Sequence, residues 1–88
     1  MDESTRTVDS DGTITYRNSL GQLHRVDGPA IEFANGTKWW YINGQHHRID
    51  GPAIERANGA VEYWYKDKQI SKRTYLSKAI QAQIILEG

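Results

Sequence analysis

A tandem duplication constrains this chain more than any other feature of its sequence. Residues 24–36 recur as residues 47–59, and 11 of the 13 aligned pairs are identical. The two pairs that differ are Val26/Ile49 and Phe33/Arg56. Chance does not produce a duplication at this identity, so the sequence predicts repeated units that pack on one another.

Partial copies extend the duplication on both sides. On the C-terminal side the best alignment shifts by one position, which pairs residues 38–41 with residues 62–65. The same longer offset pairs residues 11–13 with residues 35–37. The chain therefore holds about two and a half copies of the repeat between residues 11 and 67.

Each copy of the repeat predicts β-hairpins. The Asn-Gly pairs that begin at Asn35, Asn43 and Asn58 favour type I′ turns, because both central residues of that turn take positive φ. The Asp-Gly-Pro strings that begin at Asp27 and Asp50 predict further turns, since proline cannot donate to a β ladder. The predicted strands lie near residues 13–18, 22–26, 30–34, 37–42, 45–49, 53–57 and 60–66 and form an antiparallel meander.

Alternation along these strands assigns the aromatic residues to two faces of the sheet. Three aromatic residues at equal spacing in the repeat are predicted to stack as a ladder on the core face, together with isoleucines. This core face is predicted to carry Tyr16, Trp40, Trp64, Ile31, Ile42 and Ile54. Their sequence neighbours point to the other face, because successive side chains of a strand alternate. That second face is therefore aromatic as well, with Trp39, Tyr41, Tyr63 and Tyr65.

A helical period replaces the strand pattern near the C-terminus. Apolar residues from Leu76 to Ile84 follow helical spacing, and Ser71 or Thr74 can serve as the N-cap. The predicted helix spans residues 71–87. It is expected to cap the last repeat, because terminal repeat units need a cover. It is also one candidate to cover the aromatic second face.

The predicted fold is mainly β with one C-terminal helix, an antiparallel meander of 23–24-residue hairpin repeats capped by that helix. Its length of 88 residues allows one domain, residues 1–88. Within it, residues 1–10 are predicted to be a flexible N-terminus, residues 11–67 the hairpin repeats and residues 71–87 the capping helix.

Two strings in the repeat resemble a known family. Residues 23–30 read Leu-His-Arg-Val-Asp-Gly-Pro-Ala, and residues 40–44 read Trp-Tyr-Ile-Asn-Gly. With the 23–24-residue period, they resemble MORN-type repeats (membrane occupation and recognition nexus), related antitoxin-like hairpin repeats, and repeats in small proteins of bacteriophages and large viruses. Asp67-Lys68 replaces the Asn-Gly of the preceding copy in this alignment. The resemblance implies a hairpin-repeat architecture and a small inhibitor of a host defence protein, such as an anti-CRISPR protein.

Enzymatic chemistry is not favoured by any motif. The duplicated His-Arg-x-Asp string at residues 24–27 and 47–50 has residue types suited to acid–base chemistry, but an active site rarely needs two identical copies. His46 and His47 are adjacent on a predicted strand, so they point to opposite faces and cannot chelate one ion together. The sequence has no cysteine, which excludes disulfides and thiolate zinc sites. We therefore expect no enzyme activity, no cofactor and no metal.

Charge and hydropathy narrow the class of partner. Eleven basic and eleven acidic residues give a formal net charge of zero, which disfavours nucleic acid because phosphate contacts supply most of its affinity. The apolar run at residues 84–86 is too short to span a bilayer, and the polar N-terminus is unlike a signal peptide. We expect a soluble cytoplasmic protein, in the host cell if the chain is viral, without a membrane partner.

The sequence leaves three functions open. The favoured one is a protein-binding module that contacts a host protein, because rigid aromatic residues are typical of interface anchors. Its predicted partner-binding residues are Trp39, Tyr41, Tyr63, Tyr65 and Arg56; the last stands where the preceding copy has Phe33. The second is a nucleic-acid or nucleotide binder that stacks bases on tyrosine and tryptophan. The third is a structural element that forms homodimers or larger assemblies through sheet edges.

Overall fold

The computed structural model describes residues 4–77. Its elements within that range are β1 (Thr5–Val8), β2 (Ile14–Arg17), β3 (Ile31–Glu32), β4 (Lys38–Trp39), β5 (Tyr41–Ile42), β6 (Gln45–His46), β7 (Ile54–Glu55), β8 (Val61–Tyr65), β9 (Lys68–Ile70) and α1 (Lys72–Tyr75). Ser71 is the N-cap of α1, and its hydroxyl accepts a hydrogen bond from the Thr74 amide at 3.0 Å. The remainder of the predicted helix, residues 78–87, lies outside the described residues.

Seven of these strands form one antiparallel sheet. Its order is β1-β2-β3-β4-β7-β8-β9, and β5 and β6 form a separate two-stranded hairpin between β4 and β7. The prediction of a mainly β fold with an antiparallel meander is confirmed, and the described part of the chain ends in one short helix. Because β5–β6 leaves the sheet, the meander is interrupted between β4 and β7.

The N-terminal segment is a strand of the sheet. The prediction of a flexible N-terminus over residues 1–10 is wrong for Thr5–Val8, which pairs with β2 along its full length. The Asp9 amide donates to the carbonyl of Thr13 at 2.8 Å, and the Phe33 amide donates in the same way to Thr37. The hairpin β1–β2 is therefore the counterpart of β3–β4. This relation could not be recognised in the sequence, because β1 lacks the aromatic residues of the later copies. Hydrogen bonds to β2 order β1 although its side chains are exposed.

The turns of the main hairpins share one geometry. The side-chain oxygen of Asp11, Asn35 or Asn58 accepts a hydrogen bond from the backbone amide two residues later, at 2.9–3.0 Å. The glycine after each has a φ of 91°, 97° or 91°, whereas the two asparagines are not at positive φ. The prediction of type I′ turns at these asparagines is therefore wrong. This longer turn needs one residue at positive φ, and glycine adopts it without steric cost.

Equivalent positions in the second and third copies are always 23 residues apart, as His24 and His47 are. The Asn43 amide donates to Nδ1 of His24 at 3.0 Å. The Lys66 amide donates to Nδ1 of His47 at 2.9 Å. Lys66 and Asp67 have φ values of 49° and 67°, the same left-handed turn as Asn43 at 48° and its following glycine at 80°. The second and third copies therefore keep one hydrogen-bond register.

The predicted shift of the alignment by one position after Asn58-Gly59 is wrong. It paired Trp39-Trp40-Tyr41 with Tyr63-Trp64-Tyr65 on aromatic similarity and placed Asp67-Lys68 at the turn. In the structure Trp64 takes the place of Tyr41, since the Arg25 amide donates to the Tyr41 carbonyl and the Arg48 amide to that of Trp64. Ladder hydrogen bonds set the register of a strand, and similar side chains one position away do not change it.

The longer offset is correct between the first and second copies, and a loop explains it. Arg17 pairs with Leu23 across the first loop, whereas Tyr41 pairs with His46 across the second. The first loop therefore contains one residue more between equivalent partners. The extra residue lies in the turn that follows Asn18, whose side-chain oxygen accepts from the amides of Leu20 and Gln22.

The prediction that Ile31, Ile54 and Trp64 share a face with Trp40 is wrong, because the strands pair one residue away from the assumed register. Trp39 lies directly opposite Ile31 and Ile54 in the sheet, so these isoleucines share its face and not that of Trp40. We call this side the Trp39 face. Trp64 also belongs to the Trp39 face, because its ring lies 4.8 Å from that of His46, which contacts Trp39 at 5.7 Å. A slip of one residue moves every side chain of a strand to the other face.

The buried core of the described residues is small and repeats with the copies. Ala30 and Ala53 are fully buried directly before β3 and β7. The isoleucine after each is nearly buried, Ile31 with 8% and Ile54 with 4% of its surface exposed. A core of this size stabilises the fold only modestly, so contacts made by half-buried arginine and aromatic side chains contribute a large share.

Candidate binding cleft between the repeats

Two arginines hold equivalent positions on the side of the sheet opposite the Trp39 face. The guanidinium of Arg25 lies 4.1 Å above the ring of Tyr16, and that of Arg48 lies 3.9 Å above the ring of Trp40. Such cation–π contacts are favourable, and more so where water is partly excluded. The ladder predicted for aromatic residues is thus a ladder of arginine–aromatic pairs.

Each arginine is held by the turn that follows it in sequence. Nε of Arg48 donates to Asp50 at 2.8 Å, and its Nη1 donates to the carbonyl of Pro52 at 3.0 Å and to Glu55 at 2.7 Å. Arg25 makes the same three contacts one copy earlier, at 3.0, 3.3 and 3.2 Å. The duplicated His-Arg-x-Asp string therefore builds the same arginine-centred turn in both copies.

The glycines of the two Asp-Gly-Pro turns are required by this arginine. A Cβ atom at Gly28 would lie 2.8 Å from Cζ of Arg25, and one at Gly51 would lie 2.8 Å from Cζ of Arg48. Neither glycine is at positive φ. Their turns were predicted correctly, but the reason for glycine there is close approach of a guanidinium.

A cleft of about 670 Å³ separates the two arginine turns. Val26 and the Asp-Gly-Pro turn of the first copy form one wall, and Arg48, Ile49 and Asp50 of the second copy form the other. Trp40 and Ile42 line the cleft between these walls. Val26 is 62% exposed, so the cleft offers an apolar rim to a partner. Its volume lies in the range typical of ligand sites.

An aromatic cluster occupies the Trp39 face. The ring of Phe33 contacts that of Trp39 at 4.9 Å, and the ring of Tyr41 lies 6.4 Å from it. His46 is stacked between Tyr41 at 4.1 Å and Trp64 at 4.8 Å. Within residues 4–77, the buried Nε1 of Trp39 and Nδ1 of His46 have no hydrogen-bond partner. The cluster packs well against itself but leaves two buried polar atoms unsatisfied.

The predicted partner-binding residues divide between the two sides of the sheet. Trp39 and Tyr41 lie together on the Trp39 face, and Arg56 joins them there through its ion pair with Glu62. Tyr65 is buried against His47 at 4.9 Å and lines the cleft on the opposite side. The prediction that Tyr65 shares a face with Trp39 and Tyr41 is therefore wrong, because the strand carrying Tyr65 is shifted by one residue from the assumed alignment.

Tyr63, the remaining predicted residue, packs on the helix. Its ring lies 4.6 Å from that of Tyr75 in α1. Sequence reasoning missed the cleft residues Val26, Trp40 and Ile49 as candidates for binding. The signal that could have found them is the duplicated string itself, since it places two identical turns side by side on one face of the sheet.

Burial changes the protonation of the histidine in the aromatic cluster. Desolvation lowers the pKa of His46, and this outweighs the opposing effects of Asp67, the Trp40 carbonyl and Glu62. The hydroxyl of Tyr41 lies 2.9 Å from its Nε2, and burial raises the pKa of Tyr41. The neutral imidazole is thus the form that the folded cluster favours.

Acid is expected to destabilise the fold through His46. Because the pKa is lower in the folded chain, the unfolded chain binds more protons between the folded pKa and the ordinary value of about 6.5. The contribution of neutral His46 to the free energy of unfolding is fully present above about pH 6.5, and it is lost as the pH falls from there through the lower pKa of the folded chain. Urea unfolding from pH 7.5 to 5 checks this, with His46→Gln expected to have a shallower pH dependence of unfolding free energy. An unchanged slope in the variant would contradict the assignment.

The chain was compared with known protein families, curated proteins and solved structures. None of the known protein families, curated proteins or solved structures compared with the chain matches it. The resemblance to MORN-type and bacteriophage repeats therefore stays a prediction. Among residues 4–77, no group of three or more His, Cys, Asp or Glu side chains is arranged to hold a metal ion. In the same range, no helix is long and apolar enough to cross a membrane.

Proposed function

We propose that this chain is a non-enzymatic protein-binding module whose site is the cleft between the two arginine turns. The observation that supports this most is the cleft itself, about 670 Å³ in volume and lined by Trp40 and Ile42. Apolar and aromatic lining with a few placed polar groups is typical of sites that receive a side chain or small ligand.

The charges around the cleft favour a protein over nucleic acid. Arg48 is paired with both Asp50 and Glu55, and Arg25 is paired with Asp27 and Glu32. A phosphate would have to compete with two carboxylates for each guanidinium. Affinity for nucleic acid depends mainly on phosphate contacts, so the cleft is poorly suited to that ligand.

We further propose that the architecture is a hairpin repeat of the predicted length closed by α1. The recurrence of the same hydrogen bonds at equivalent positions of successive copies supports it. The contact between Tyr75 and Tyr63 supports the role of α1 as a cap. In this proposal the resemblance to bacteriophage repeats makes a host defence protein, met in the host cytoplasm, the first partner class to test.

Capture from a bacterial lysate tests the site. The tagged chain is compared with Val26→Glu, which places a charge on the apolar rim of the cleft. Leu20→Glu is the matched control, since Leu20 is 80% exposed and lies outside the cleft. We expect a specific partner to be retained by the parent and the control and to be lost from Val26→Glu by at least about tenfold, the loss typical of an interface anchor. Equal retention by both variants would contradict the proposed site.

A further inference from the structure

One strand contact joins successive hairpins of the sheet, and it occurs twice within the chain. The second strand of one hairpin pairs with the first strand of the next, β2 with β3 and β4 with β7. At both junctions the amide of an aromatic residue donates to an alanine carbonyl, Tyr16 to Ala30 at 2.8 Å and Trp40 to Ala53 at 2.7 Å. The first strand of the first hairpin, β1, and the second strand of the third, β8, hold the two positions that would form further junctions.

β8 has only half of the neighbours that its counterpart has. In the second copy, β4 pairs with the next hairpin, and β5, which continues from it, pairs with β6. In the third copy β9 pairs with Tyr63–Tyr65, which repeats the β5–β6 contact. In the part of the chain that the structure describes, no strand pairs with the outer side of Val61. The Ala53 amide donates to the Glu62 carbonyl, so Glu62 faces β7 and the backbone groups of Val61 face the open side.

β1 carries the complementary open edge. Its four residues are exposed, and among residues 4–77 it pairs only with β2. The Asp9 amide donates to the Thr13 carbonyl, so Asp9 and Thr7 face β2, whereas Arg6 and Val8 direct their N–H and C=O groups away from it. Such an edge is a template for another strand.

The register of the sheet places one exposed valine at each of these two edges. One row of directly opposed residues crosses the sheet in the order Val8, Ile14, Glu32, Lys38, Glu55 and Val61. Val8 is 51% and Val61 is 46% exposed, whereas the middle of the row alternates in charge. If the series continued into a second chain, its Val8 would lie directly opposite Val61, and the two apolar side chains would cover each other.

We propose that the chain associates head to tail with further copies of itself, β8 of one copy pairing with β1 of the next as β4 pairs with β7. Val61 and Val8 exchange two backbone hydrogen bonds at this junction. The Tyr63 amide donates to the Arg6 carbonyl, as the aromatic residue does to alanine at the two internal junctions. Because the contact joins two different edges, it does not close on itself, and further copies can add.

The association is expected to be weak. The junction involves about three residues of each strand, far fewer than a standard protein interface. Arg6 also stands where the two internal junctions have the fully buried Ala30 and Ala53, so the packing is looser. The inference is independent of the function proposed above, because neither Val8 nor Val61 lines the cleft.

Sedimentation velocity and nuclear magnetic resonance of the ¹⁵N-labelled full chain test the inference. Over concentrations from about 0.02 to about 1 mM, where weak contacts become populated, the mean mass is expected to rise past that of a dimer. Amide shifts that depend on concentration are expected at both edges, at Arg6 and Val8 of β1 and at Val61 and Tyr63 of β8. A chain that stays monomeric at the highest concentration would overturn the inference.

Two substitutions recreate pairs of neighbours that the chain already contains, so both variants should fold. Val61→Lys places a lysine beside Glu55, where Lys38 already lies on the other side. Val8→Glu places a glutamate beside Ile14, which already has Glu32 on its other side.

Mixing these variants tests the proposed register. Unlabelled Val8→Glu added to labelled Val61→Lys should bind about threefold more tightly than parent chains bind each other, because lysine then lies opposite glutamate at the junction. Val8→Lys added in its place should bind about threefold more weakly, because two lysines oppose each other. Leu20→Glu, outside both edges, should associate as the parent does.

Two further results would overturn the inference. Equal affinity in the opposite-charge and like-charge mixtures would show that Val61 and Val8 do not meet. An association that stops at a dimer, with shifts confined to β1, would show that two β1 strands pair with each other instead.

Discussion

Replacing Trp40 with alanine is expected to lower the free energy of unfolding by about 3 kcal/mol, which is the lower end of the losses seen when large packed aromatic side chains are removed. The indole supports the Arg48 guanidinium at 3.9 Å and lines the cleft beside Ile42. Its loss leaves a cavity and also removes the surface on which the arginine is desolvated. For a small domain with a stability of about 5–15 kcal/mol, this is a large fraction of the total.

Urea unfolding followed by circular dichroism measures this change. Trp40→Phe keeps a ring beneath the guanidinium and is expected to lose less than about half as much stability as the alanine variant. Leu20→Ala, at a position 80% exposed, serves as the control and should remain within about 0.5 kcal/mol of the parent. A Trp40→Ala variant that also stays within that margin would show that the arginine–aromatic pairs do not stabilise the fold.

Ile54→Ala is expected to cost about 2–4 kcal/mol, as for other buried isoleucines. Ile54 is only 4% exposed and lies opposite Trp39 on β4 and Glu62 on β8. Its strand has neighbours on both sides, so the surrounding chain cannot easily close the cavity. The side chain also supports Trp39, on which the aromatic cluster is built.

The repeat supplies a matched pair of variants for Ile54. Ile31→Ala removes the same side chain one copy earlier, where 8% is exposed, and a cost close to that of Ile54→Ala is expected. Val61→Ala, at a position 46% exposed, should cost less than about 1 kcal/mol. Thermal and urea unfolding of the three variants measures these changes. If Val61→Ala were as costly as Ile54→Ala, the assignment of the core to the Trp39 face would be wrong.

Local sequence predicted the candidate site only in part. Trp39 and Tyr41 lie on one face as expected. Tyr65 does not, because Lys66-Asp67 takes the left-handed turn that Asn43-Gly44 takes one copy earlier. A lysine and an aspartate carry no strong signal for that conformation, so the aromatic residues before them were assigned to the wrong faces.

Duplication and turn chemistry are properties of the sequence by itself, and they determined the class of fold. An Asn-Gly or Asp-Gly pair has few alternatives to a turn, and short runs rich in β-branched and aromatic residues between such turns prefer strands. The antiparallel meander follows from these local preferences alone, as does the N-cap at Ser71.

Only the tertiary structure decided the register of the strands, and the register decided which residues line the cleft. Register depends on hydrogen bonds between residues far apart in sequence, such as that from the Lys66 amide to His47. Because the side chains of a strand alternate, a difference of one residue exchanges the two faces. This is why Trp40 lies under Arg48 in a cleft while Trp64 lies on the opposite side. β1 likewise depends on tertiary pairing, because its exposed side chains bury no surface and its backbone pairs with β2 along its full length.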